Sequence, residues 1–101
     1  MAELQIHVPY TAWGDGDEWE TGYLEVMRDL HKTVEDGGYG TDDDADHLDE
    51  FICFYLVGQN VRDLVSVARE VLVRHKLRAE ATGFLTNPNA EDAEVGTPVA
   101  L

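Results

Sequence analysis

Phe51-Ile52-Cys53-Phe54-Tyr55-Leu56-Val57-Gly58-Gln59-Asn60-Val61-Arg62-Asp63-Leu64 is the stretch that decides the fold. Its first seven residues form an unbroken apolar run of one strand's length, and their β-branched and aromatic content favours a strand over a short buried helix. Asn60 is a good helix N-cap, because its side-chain oxygen can accept a first-turn N–H that has no partner inside the helix. Asp63, three residues on, places negative charge where the helix dipole favours it. From there Val61, Leu64, Val65, Ala68, Val71, Leu72 and His75 recur at helical spacing, with Arg62, Asp63, Ser66, Arg69, Glu70 and Lys76 off that stripe. A strand and helix so built need further elements to cover their apolar faces.

Upstream, Leu4, Ile6, Val8 and Tyr10 alternate with Glu3, Gln5, His7 and Pro9, the pattern of a strand with one buried face. Trp13-Gly14-Asp15-Gly16-Asp17 is a turn, with Asp15 or Asp17 available as a cap. Trp19, Tyr23, Val26, Met27, Leu30 and Val34 then mark a helix from about Glu18 to Glu35, stopped by Asp36-Gly37-Gly38. The polar segment Tyr39–Asp49 must lead back into Phe51, which predicts a short edge strand over Tyr39–Asp43 and a hairpin loop within Asp44–Asp49. Downstream, Leu77, Ala79, Ala81, Gly83 and Leu85 alternate with polar residues as a further strand ended by Asn87-Pro88-Asn89. Residues 87–101 are a tail in which Val95–Leu101 either adds a strand or stays disordered.

The order β-α-β-β-α-β over residues 1–86 predicts one α+β domain, a two-layer ferredoxin-like sandwich with two helices on one face of an antiparallel sheet. Leu4–Tyr10 and Phe51–Val57 are its central strands. The stretch Phe54–Leu64 also resembles a junction in a group of small bacterial ferredoxin-like proteins, over roughly residues 37–86. In that group a strand ends in an aromatic-Gly pair, followed by a Pro-Asp-Ala-Asp-Ala-Leu-like cap and an Ala/Val-rich helix. Here Val57 replaces the aromatic and Gln59-Asn60 replaces the Pro-Asp pair. The resemblance implies the fold and carries no shared catalytic motif.

Charge is the compositional extreme: 7 Lys+Arg stand against 21 Asp+Glu in 101 residues, a net −14. Between Asp15 and Glu50 there are 14 acids and only Arg28 and Lys32 as bases, whereas Arg62–Arg78 is locally positive. Such a balance disfavours nucleic acid and anionic membrane surfaces and favours a cationic partner, or simply serves solubility. No apolar run approaches the ~20 residues of a membrane span. Met1-Ala2-Glu3-Leu4 lacks the basic and apolar regions of a signal peptide, and a single cysteine, Cys53, fits a reducing compartment. A cytoplasmic location is the expectation.

No pattern here specifies a cofactor, a resident metal or a catalytic centre. An EF-hand loop begun at Asp42 places Asp44 and Asp46 well but meets His47 where glycine is required and Cys53 where a bidentate Glu is required. One begun at Asp15 fails at Trp19. His31, His47 and His75 have no metal-ligand spacing to one another. His7 and Cys53 are candidate cross-strand neighbours, but nothing beside them orients a base or forms an oxyanion hole. In the expected fold the loop after the first strand and the hairpin before Phe51 leave the sheet at one end. Asp15, Asp17, Glu18 and Glu20 then gather with Asp42, Asp43, Asp44, Asp46 and Asp49, with Arg74, Lys76 and Arg78 near enough to neutralise some of them. Phe51, Tyr55 and Phe84, on the sheet face away from the helices, complete a partner-binding surface.

The functional expectation is a non-enzymatic acidic module that binds a basic protein, most concretely an inhibitor of the immunity-protein or antitoxin type. Two alternatives use the open sheet face. One is a homodimer; the other is a small-molecule-binding or enzymatic dimer with a pocket around His7, Tyr55 and Phe84.

Overall fold

A computed structural model describes residues 2–86 and 97–101. The chain runs β1 (Ala2–Pro9), α1 (Glu18–Asp36), β2 (Gly40–His47), β3 (Phe51–Gly58), α2 (Val61–Arg74), β4 (Thr82–Thr86) and β5 (Thr97–Val99), with a 3-10 turn at Tyr10–Trp13. All five strands pair antiparallel in the order β2-β3-β1-β4-β5. The two expected central strands are therefore adjacent, with Leu4 opposite Leu56 and Ile6 opposite Phe54.

Alternation sets which face is covered. Leu4, Ile6 and Val8 from β1 and Ile52, Phe54 and Leu56 from β3 are fully buried against both helices. Helix α1 contributes Val26, Leu30 and Val34; α2 contributes Leu64, Val67, Ala68, Val71 and Leu72. Val67 lies outside the stripe read from the sequence. The Asn60 cap forms as expected, its side chain accepting from the backbone of Arg62 at 2.9 Å and of Asp63 at 3.4 Å. Asp17 takes the N-cap position of α1 without a side-chain bond, and Glu18 instead reaches back to the Gly16 amide at 3.1 Å.

Two expectations are corrected. The second strand is longer than Tyr39–Asp43: it runs through His47, and the turn is confined to residues 48–50. The backbone ladder of β3 overrides the poor strand propensity of the aspartates, with a bulge between Asp43 and Asp46. The strand expected from Leu77 begins only at Thr82. Leu77 is buried and receives two turn hydrogen bonds, from the amides of Glu80 and Ala81, so its alternation with Ala79 and Ala81 is coincidental. Of the two alternatives left open for the tail, Thr97–Val99 adds a strand paired with β4, so the sheet has five strands among the described residues. The Asn87–Asn89 stop and Val95 lie outside the described residues.

Candidate functional site

The acidic segments do not form one pole. Pro9 pairs with Phe51, and the Tyr10 hydroxyl donates to the Leu48 carbonyl at 2.5 Å. The His47 ring packs edge-on against Trp19 and Tyr23. These contacts bring the start of α1, with Asp15, Asp17, Glu18 and Glu20, to the same end as Asp49. Asp42, however, pairs with Leu56, toward the opposite end of β2. At ~3.3 Å per residue it stands about 20 Å along the strand from Asp49. Because the chain continues as a strand where a loop was expected, the aspartates are spread along a sheet edge and divided between faces. Asp43 and Asp46 share the open face with Tyr55 and Cys53, while Asp42 lies on the helix side.

On the open face, Tyr55 donates its hydroxyl to Asp46 at 2.5 Å. Burial and this bond raise the phenol's pKa. Glu3, Asp43 and Asp44 line the same shallow cleft. Phe51 and Phe84 lie elsewhere on this face, flanking His7 with ring centroids 4.5 and 4.6 Å from the imidazole. Pro9, Glu50, Glu80 and Thr82 border that second cleft. The expected joint pocket of His7, Tyr55 and Phe84 is thus divided into an acidic half and an aromatic half. Among the described residues, Leu24, Tyr39, Leu48 and Val73 are the large apolar side chains left exposed, and none lies among the expected contact residues.

His7 and Cys53 are directly opposite each other. Gln5 joins them through one side-chain oxygen, 3.1 Å from His7 Nε2 and 3.8 Å from Cys53 Sγ. Burial pushes the thiol up to about 11 and moves the imidazole down, so both groups are held neutral. A thiolate nucleophile needs the opposite shifts.

The expected neutralisation of the acids by α2 takes a different form. Arg74 binds Asp29 and also Glu70 at 2.9 Å, and His75 binds Asp29 at 2.9 Å. Burial alone would raise the Asp29 pKa, but bonds and charge from His75 and Arg74 outweigh it and hold the carboxyl below its ordinary range. Arg69 and Arg78 donate to the carbonyls of Ala100 and Leu101. Among the described residues, no Lys or Arg forms an ion pair with Asp15, Asp17, Glu18, Glu20, Asp43, Asp44, Asp46 or Asp49.

One constellation was missed in the sequence. His31 on α1 holds Asp42 of β2 through Nδ1 at 2.5 Å and Glu35 through Nε2 at 3.1 Å. The bond to Asp42, and then the charges of Asp42 and Glu35, raise the imidazole's pKa. Met27, Arg28 and Asp44 line the cleft beside it. The i,i+4 spacing of His31 and Glu35 was a visible signal, but the third member comes from another element and needs the fold.

Compared with known proteins, the chain matches no family model, no curated protein and no solved structure.

Proposed function

We propose that this is a non-enzymatic acidic binding module of ferredoxin-like plan with an appended edge strand, whose partner is a basic protein. An inhibitor of the immunity-protein or antitoxin type, occupying a cationic groove on its target, is the most concrete form. One observation carries the reading: the carboxylates of β2 and of the α1 start have no Lys or Arg counterion among the described residues, although α2 and the segment after it carry five bases. Unpaired like charges repel one another, and a basic surface relieves that repulsion and gains rate by electrostatic steering. The docking surface in this proposal is the acidic edge, with Asp43, Asp44, Asp46 and Asp49 beside Tyr55. The second acidic group, Asp15, Asp17, Glu18 and Glu20, extends it at the Asp49 end. No helix among the described residues is long and apolar enough to cross a membrane; a cytoplasmic setting belongs to this proposal.

The test is capture of a partner on immobilised protein, followed by titration with salt. The expected result is a basic partner released between 50 and 500 mM salt and not retained by an Asp43→Asn, Asp44→Asn, Asp46→Asn, Asp49→Asn variant (about one kind of contact, charge, being removed). Retention by that variant, with no dependence on salt, overturns the proposal and assigns the acids to solubility.

A further inference from the structure

From the geometry around His31 we infer that the α1–β2 cleft is a divalent-cation site for a first-row metal of the zinc type. His31 Nε2 and Glu35 Oε2 are its ligands, and Asp42 is the residue that positions the ring. This inference is independent of partner binding.

Three observations converge. His31 and Glu35 are one helical turn apart on α1, so the backbone sets their donors side by side without loop ordering. Their nitrogen and oxygen are 3.1 Å apart. With legs of ~2.0–2.2 Å, that separation corresponds to an angle of roughly 95–100° at the ion, between octahedral and tetrahedral values. Finally, Asp42 is bound to the other ring nitrogen, Nδ1, at 2.5 Å. A carboxylate on the far nitrogen is the arrangement that fixes the tautomer, aims the free lone pair and raises ligand basicity in histidine–metal sites. Asp42 is itself held on a paired strand and its side chain is only 13% exposed, so the ring is oriented by a rigid neighbour. The three side chains offer donor atoms lying within 4.8 Å of one another.

The donor set also selects the class of ion. An imidazole with a carboxylate suits zinc, copper or nickel better than magnesium or calcium, which prefer all-oxygen shells. Asp44 and Arg28 border the same cleft, so one positive charge is set against three carboxylates and the local field still favours a cation. Two protein donors leave the remaining coordination positions to water.

Isothermal titration of the full chain with zinc chloride at pH 8, where a proton competes less for the imidazole, tests this directly. The wild type is expected to bind one zinc ion with saturable heat, and magnesium chloride is expected to give no such isotherm. His31→Ala abolishes the site, Glu35→Gln and Asp42→Asn each weaken it by at least about tenfold, and His47→Gln leaves it unchanged. Circular dichroism establishes that each variant is folded. Nitrogen-15 chemical shifts of the histidine rings add a readout that a structural role would not move: zinc must shift His31 Nε2 while Nδ1 keeps its proton. No saturable zinc binding, binding unchanged in folded His31→Ala, or coordination through Nδ1 overturns the inference.

Discussion

Gly38 and Lys76 hold the same position in the same helix-ending motif. After α1 the Tyr39 amide returns to the Val34 carbonyl and the Gly38 amide to Glu35; after α2 the Leu77 amide returns to Leu72 and the Lys76 amide to Val73. In each case the residue before the longer bond is left-handed, Gly38 at φ 68° and Lys76 at φ 61°. This is the Schellman arrangement, in which glycine is preferred because it has no Cβ to strain. One helix uses the preferred residue and the other does not.

Lys76→Gly is therefore expected to stabilise the protein, by about 0.5–1 kcal/mol, the left-handed cost of a Cβ less the extra freedom of glycine in the unfolded chain. Gly38→Ala is expected to destabilise by about 1 kcal/mol. A Cβ at Gly38 meets nothing within 4 Å, so only the backbone conformation is at stake. Urea unfolding of both variants checks the pair. Equal signs would show that the two ends are not equivalent.

Gly40 raises a different constraint at the first residue of β2. It has φ 156°, and a Cβ there would lie 1.9 Å from the Val57 carbonyl oxygen, a backbone atom that cannot move aside. Gly40→Ala must therefore break the Gly40–Gly58 end of the β2–β3 ladder or displace the strand. The expected loss exceeds that of Gly38→Ala, at about 2–4 kcal/mol. It corresponds to a melting midpoint lower by roughly 10 °C or more in a domain of this size. A midpoint within 3 °C of wild type (about half a kcal/mol) would mean that this end of β2 does not hold its pairing in solution.

These features also show what was legible in the sequence. The β3–α2 unit could be read because local signals agree: an apolar run, an Asn60 cap and an apolar stripe all point to one structure. The extent of β2 could not, because four aspartates in five residues oppose strand formation and only pairing with β3 supplies the reason for it. That one error displaced the whole acidic site, since a loop gathers charges at an end and a strand spaces them along an edge. The false strand over Leu77–Ala81 has a similar origin. Leu77 is buried as the residue after a left-handed helix end, which period-two alternation cannot distinguish from a strand position. Gly22 is a poor helix former within the α1 sequence. It is where the Trp13 ring lies against the helix, at 2.3 Å from where a Cβ would be. Phe51 and Phe84 were placed correctly on the open face, but their common contact with His7 depends on cross-strand register.

His7 gives a pH dependence of defined sign. Its ring lies between Phe51 and Phe84, and burial lowers its pKa below the ordinary 6.5 despite Glu50 and Glu80 on the same cleft. The unfolded chain thus takes up a proton at His7 before the folded chain does. The stability that depends on neutral His7 is complete above pH 6.5 and is lost as pH falls from there toward the lowered value. His7→Phe keeps an aromatic ring between the other two and removes the titration. The difference in urea midpoint between wild type and His7→Phe should shift against the wild type between pH 7 and pH 5. A difference that stays constant over that interval would place His7 in solvent.

Cys53 sets the corresponding limit on the alkaline side. Its thiol is 1% exposed, and burial holds it protonated up to about 11, against an ordinary 9.0. In the unfolded chain the thiol ionises at 9, so the unfolded state releases a proton that the native state retains. Stability linked to Cys53 is therefore complete below pH 9 and declines as pH rises through 11, by at most about 1.4 kcal/mol per unit. Cys53→Ala removes that slope while lowering stability at every pH through the smaller side chain. The chemistry should follow the same burial: at pH 8 iodoacetamide modifies the native thiol slowly and the urea-unfolded thiol quickly. Rapid native alkylation, or equal alkaline slopes for wild type and Cys53→Ala, would contradict a buried neutral thiol and reopen the His7–Cys53 pair as a reactive site.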